Sequence, residues 1–241
     1  MEVLRDRHAL RRGTASPTDV FVFGKGEATR RDGTKVGGLP YWPADRRWPK
    51  DEAGTPYRFL AQFNFADSRD LLAELPGEVL LLLVQEGDDW LYEPDRIHFE
   101  WLPLGLTPIA SFPPSWTVNP GGTFFGAIHR SADYPDASET AEKSGVRGHE
   151  DLPIVNGTKI GGLPHLIQSV DLEGEFLCQL SSIQAAPYAP YPWVNDPVPL
   201  DLRSDDQGIY GDANTFVFLD MGNIYVFRDD NGILRSSLEC Y

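Results

Sequence analysis

Apolar residues in this chain gather in short runs separated by turn residues. Phe59–Phe65 reads FLAQFNF and Phe176–Ser182 reads FLCQLSS, both in the order Phe-Leu-small-Gln-apolar. Such short runs, rich in aromatic residues, predict strands. Two further stretches predict β-hairpins, because apolar runs there flank Gly, Asp or Asn. The first is Val79–Tyr92, with its turn at Gly87-Asp88-Asp89. The second is Thr215–Phe227, with its turn at Met221-Gly222-Asn223. Helical stretches are few. Glu2–Arg11 carries Val3, Leu4 and Leu10 among helix formers, and Tyr134–Gly145 is polar and at most two turns long. Ser68–Pro76 has an N-cap at Asp67 or Ser68 and a stop at Pro76. The 20 prolines and 23 glycines leave little room for more.

One phrase occurs twice. Lys35–Pro40 reads KVGGLP and Lys159–Pro164 reads KIGGLP. Adjacent glycines accept positive φ, and the proline forces the residue before it into extended backbone. Each phrase therefore predicts a tight bend feeding an extended segment. No P-loop frame surrounds either one. Both halves run in one order: Gly-Gly bend, Gln-bearing strand, hairpin. That order argues for an internal duplication with diverged loops, and two copies are too few for a solenoid.

These motifs carry a resemblance. Lys35-Val36-Gly37-Gly38-Leu39-Pro40, Trp48-Pro49, Phe59-Leu60-Ala61-Gln62 and Leu75-Pro76-Gly77 resemble the YwqG-like family, a bacterial domain family without an assigned function. In the second half the resemblance continues through Lys159–Pro164, Phe176-Leu177-Cys178-Gln179 and the terminal hairpin. It implies a duplicated, β-rich α+β fold over about residues 20–241. It supplies no catalytic residues, and it implies an association with toxin and immunity genes. The fold expected is α+β and β-rich, with two diverged pseudo-repeats of antiparallel hairpins sharing one core and a few short helices. A single domain spans 1–241, with pseudo-repeats at about 20–130 and 150–241.

Charge narrows the partners. The formal net charge is -15, distributed unevenly: residues 1–60 hold 12 basic and 8 acidic side chains, and residues 61–241 hold 9 and 28. The second stretch therefore nets -19. Such a surface repels phosphate backbones and suits a basic partner. The N-terminus lacks the apolar stretch of a signal peptide, and VLLLLV (Val79–Val84) is far too short to cross a bilayer. Cys178 and Cys240 make no disulfide framework. A cytoplasmic protein is expected.

Catalytic motifs do not emerge. His8, His98, His129, His149 and His165 form no metal-ligand spacing, and there is no G-x-S-x-G elbow. FGKGEAT (Phe23–Thr29) lacks the third glycine of a dinucleotide fingerprint. Asp88-Asp89, Asp205-Asp206 and Asp229-Asp230 are paired, but Asp229–Gly232 reads DDNG, a turn phrase, and fails the calcium-loop frame. No cofactor and no metal are expected, and the chain is read as a non-enzyme. The expected function is a cytoplasmic immunity protein, or antitoxin, that neutralises a basic bacterial toxin. The partner surface is assigned to Asp205, Asp206, Asp229 and Asp230, with Tyr191 and Trp193 as anchors. The alternative is a small-ligand binder or an enzyme using a cleft between the repeats. Its groove would draw on Trp42, Arg46, Arg47 and Trp48 in a proline-bounded loop, and core packing is the competing role for those tryptophans.

Overall fold

The computed structural model describes residues 15–72, 74–87, 89–93, 96–118, 122–134, 154–168, 174–183, 209–211, 216–219 and 221–240. Among them the chain is β-rich. The strands are β1 (Ser16–Lys25), β2 (Lys35–Val36), β3 (Arg58–Asn64), β4 (Val79–Val84), β5 (Ile97–Leu102), β6 (Phe124–Asp133), β7 (Lys159–Gly161), β8 (Glu175–Ser181), β9 (Ile209–Gly211), β10 (Phe216–Phe218), β11 (Asn223–Arg228) and β12 (Leu234–Glu239). Ten of them form one antiparallel sheet in the order β12-β11-β8-β7-β1-β6-β2-β3-β4-β5, and β9 and β10 form a separate pair.

The run VLLLLV became β4, every residue of which is buried. Alternation sends Leu80, Leu82 and Val84 into the main core. Val79, Leu81 and Leu83 enter a smaller core with Tyr41, Trp42 and Phe59, which the loops after β2 and β5 cover. The main core also takes Ile97 of β5 and Ile224 of β11, with Leu234 and Leu238 of β12 packed against it. Strands from both ends of the order thus share one core, so the sheet is curled nearly to closure.

Both Phe-Leu-small-Gln strands carry a β-bulge at the same place. Phe59 pairs Leu83 and Ala61 pairs Leu82, so Leu60 is the extra residue. Phe176 pairs Phe227 and Cys178 pairs Val226, so Leu177 is the extra residue. Strand alternation would put Phe59 and Gln62 on opposite faces, and the bulge brings them onto one. The same applies to Phe176 and Gln179.

The strands before each Gly-Gly phrase cross over. β1 and β6 pair along ten residues, from Ser16↔Asp133 to Lys25↔Phe124. Yet β1 also pairs β7, with Val20 opposite Lys159, and β6 pairs β2, with Phe125 opposite Lys35. Each leading strand is built into the other half of the sheet.

Three expectations need correction. The Ser68–Pro76 helix is a 3-10 turn over Phe65–Ser68, capped by the Asn64 side chain on the Ala66 amide. So short a segment cannot offset helix nucleation. Arg30 and Arg130 also hold Asp67 and Asp70 in ion pairs, fixing the segment across the sheet. The first hairpin does not turn back at Trp90. Asp89–Leu91 is another 3-10 turn that buries Trp90 and Leu91, and the returning strand is β5. The second hairpin is not one either, since β10 pairs β9 while β11 lies between β8 and β12. Leu219 and Met221, with φ of 50° and 56°, turn the chain from one sheet to the other. The actual terminal hairpin is β11–β12. The β-rich part of the expected class stands, and the helical content of the described residues is limited to short 3-10 turns. No helix among the described residues is long and apolar enough to cross a membrane.

Candidate functional site: two lysine–carboxylate cradles and an aromatic ledge

Lys35 and Lys159 are completely buried. Each lies opposite a glutamine, Lys35↔Gln62 and Lys159↔Gln179. Both glutamines are buried and fully used. Gln62 Oε1 accepts the Tyr41 amide at 2.8 Å, and its Nε2 donates to the Arg31 and Gly33 carbonyls at 2.9 and 2.8 Å. Gln179 Oε1 accepts the His165 amide at 2.9 Å, and its Nε2 donates to the Gly157 carbonyl and Ser181 Oγ at 3.1 and 3.0 Å. Each amide therefore ties the segment before a Gly-Gly bend to the segment after it.

Each lysine meets one carboxylate. Lys35 Nζ donates to Glu27 Oε2 at 3.1 Å and to the Leu39 carbonyl, while Glu27 Oε1 accepts the Leu39 amide at 2.7 Å. Lys159 Nζ donates to Asp133 Oδ2 at 2.9 Å and to the Val155 carbonyl at 2.8 Å. Asp133 accepts the Leu163 amide at 3.0 Å and the Val155 amide at 2.7 Å. The glycines make this contact possible. Gly38 and Gly162 have φ of 71° and 73°. A Cβ on Gly38 would strike Glu27 Oε1 and the Thr123 side chain, and one on Gly162 would strike Asp133 Oδ2 and the Thr18 side chain. A carboxylate oxygen and a threonine occupy the space where a side chain would be.

The two cradles differ in exposure. Asp133 is fully buried, whereas the Glu27 side chain is 45% exposed. Burial lowers the Lys35 ammonium below the ordinary lysine value, against the pull of Glu27, and nearby Arg31 adds to the lowering. Arg31 Nη2 donates to the Pro40 and Ile109 carbonyls, and its buried Nε has no hydrogen-bond partner.

The tryptophan loop is packed rather than open. Trp42 is buried, and its indole N–H donates to the Arg46 carbonyl at 2.9 Å. The Trp48 indole N–H donates to the Tyr57 carbonyl at 2.7 Å. Trp42, Trp48, Phe112 and Trp116 meet edge to face at centroid distances of 5.0, 4.5 and 5.8 Å, so successive rings cover one another. The Arg46 guanidinium lies 4.4 Å from the Trp42 centroid and grips both Glu100 oxygens at 2.9 and 2.8 Å. His98 Nε2 lies 3.1 Å from Glu100 Oε1, and its ring stacks on Tyr57. Burial raises the Glu100 carboxyl, but the bonds from His98 and Arg46 outweigh it and hold the group below the ordinary value. Of the four groove residues, Arg47 alone is exposed without an ion-pair partner among the described residues.

Of the predicted partner residues, Asp229 and Asp230 lie within the described residues. Asp205, Asp206, Tyr191 and Trp193 lie outside the described residues. Asp229 forms the β11–β12 turn, its Oδ1 accepting the Asn231 and Ile233 amides at 2.9 Å each, and it faces Arg235. Asp230 is exposed at the tip. Residue patterns missed Glu27, Asp133, Thr18, Thr123, Glu100 and His98. The repeated lysine was the available signal for a buried ion pair. Its partners lie at unrelated spacings, eight residues ahead of Lys35 and twenty-six ahead of Lys159, so spacing could not identify them.

Residues 34–100 match a family described as a domain of unknown function, DUF1963. The match covers little more than a quarter of the chain, from the first lysine phrase through β3 and β4 to Glu100. No curated protein matches the chain by sequence.

Proposed function

We propose that this chain is a non-catalytic, YwqG-like immunity protein that binds a basic toxic domain and blocks it. Its two halves are diverged copies of one unit. The paired cradles support the duplication: in both, the bulge, the glutamine, the lysine, the carboxylate and the threonine recur in corresponding places.

One surface carries the binding reading. In the β4–β5 connection Tyr92 is 74% exposed, flanked by the exposed carboxylates Glu86, Asp89 and Glu93. Trp90 and Leu91, buried at 1% and 3%, anchor the turn beneath it. Arg96 braces it, with Nε 2.6 Å from Glu93 Oε2 and Nη1 3.4 Å from Asp89 Oδ2. A rigid exposed aromatic among carboxylates suits an Arg- or Lys-rich partner, because the ring attracts a cation and the charges steer encounter. Toxins that act on nucleic acids need such cations for phosphate contact. This surface is proposed in addition to Asp205, Asp206, Asp229, Asp230, Tyr191 and Trp193, of which Asp229 also holds its own turn through Oδ1.

The test is co-expression with any basic effector domain found to be encoded beside this gene. Wild-type protein should rescue growth and co-elute at low salt. Tyr92→Ala combined with Glu86→Lys and Glu93→Lys should lose both. Equal cell death with and without the protein, and no complex at low salt, would refute the proposal.

A further inference from the structure

The two cradles hold a carboxylate against a Gly-Gly bend with the same donors, a buried lysine and the leucine amide two residues beyond the first glycine. They differ in what holds the carboxylate in place. Asp133 ends β6, is fully buried, and satisfies three donors: Lys159 Nζ, Val155 N and Leu163 N. Its removal would strand all three away from water. Glu27 lies on a surface loop beside Gly26, whose φ is 94° and around whose missing Cβ there is open space. Its side chain is already 45% exposed. It can swing into water at little cost, provided another carboxylate takes over the Lys35 ammonium and the Leu39 amide.

Charge favours such an exchange at this cradle. Without Glu27 it presents two neighbouring cations, Lys35 and Arg31, and the second cradle has Val155 where the first has Arg31. Lys35 Nζ has two acceptors for three N–H groups, and Arg31 Nε has none. We propose that the first cradle is a carboxylate-binding site in which Glu27 is a tethered placeholder that an incoming carboxylate group displaces. The incoming group is either a small carboxylic acid or the free C-terminus of a peptide. This inference stands apart from the basic-partner reading, which concerns a different surface, so either can fail alone.

The test follows the Leu39 amide by nuclear magnetic resonance during titration with acetate, against chloride at equal ionic strength. A short tether acts as a competitor at roughly millimolar effective concentration or above. Glu27→Ala should therefore bind acetate at least about tenfold more tightly than wild type, with the Leu39 amide shifting in step. Adding Lys35→Met to Glu27→Ala should abolish the response. Should Glu27→Ala not fold, Glu27→Asp, with its shorter arm and unchanged charge, should tighten acetate binding in the same direction. A short peptide with a free C-terminus, compared with its amidated form, separates the two sources. A free-acid peptide that binds more tightly than acetate identifies C-terminal recognition, and equal binding identifies small acids. A Leu39 amide that moves no more in acetate than in chloride, up to roughly 0.5 M and in every variant that folds, overturns the proposal.

Discussion

Replacing Gln62 by methionine keeps the length and approximate volume of the side chain and removes all of its hydrogen bonds. The Tyr41 amide then loses its acceptor, and the Arg31 and Gly33 carbonyls each lose a donor. Gln62 is 0% exposed, so water cannot substitute without opening the sheet. A stranded buried donor costs about 1–3 kcal/mol, and a carbonyl with a second lone pair to use costs less. The sum is roughly 3 kcal/mol, against which the gain from a more apolar side chain is small. For a chain of this length that corresponds to a melting-temperature drop of roughly 6–12 °C. Urea unfolding followed by far-ultraviolet circular dichroism should show a lower midpoint with an unchanged slope. Gln179→Met should cost about the same, since it strands the His165 amide, the Gly157 carbonyl and Ser181 Oγ. A loss below about 1 kcal/mol in both variants would be no more than an ordinary volume-conserving core swap, and would refute the role given to these amides.

Gly38→Ala should cost more than Gly54→Ala. Both have positive φ, worth about 1–2 kcal/mol in alanine, but Gly54 has open space around it and Gly38 has Glu27 and Thr123. Crowding should add roughly 1–3 kcal/mol, measured by the difference in urea midpoints. Lys159→Met should destabilise by roughly 3–5 kcal/mol because it leaves Asp133 charged and fully buried. Lys35→Met should cost clearly less in the same assay, since Glu27 can turn to water. The Glu100 carboxyl titrates below its ordinary value of 4.5, so its bonds to Arg46 and His98 add stability above that pH. That stability is lost as pH falls through the lower folded-state value. The melting-temperature gap between wild type and Glu100→Gln should accordingly be widest above about 4.5 and close below it.

Short-range patterns determined much of this protein. The bends at Lys35–Pro40 and Lys159–Pro164, the strands at Phe59–Asn64, Val79–Val84 and Phe176–Ser181, and the DDNG turn are all legible because each depends on neighbouring residues alone. Burial of Gln62, Gln179 and Cys178 was legible for the same reason, since each sits inside an apolar run. Return strands were not. Trp90 looks like a strand residue, but it caps the core from a 3-10 turn, a decision made by the hole it fills rather than by its neighbours. The failed helix at Ser68–Pro76 is similar, because distant Arg30 and Arg130 determine where that segment lies. The cradles show the division most clearly. A paired glycine announces a bend, but only the crossing of β1 and β6 brings Thr18 to Gly162 and Thr123 to Gly38, and only the folded loop brings Glu27 to Lys35. Ion pairs and close packing depend on distance in space, and strand crossing brings together residues that no spacing along the chain relates.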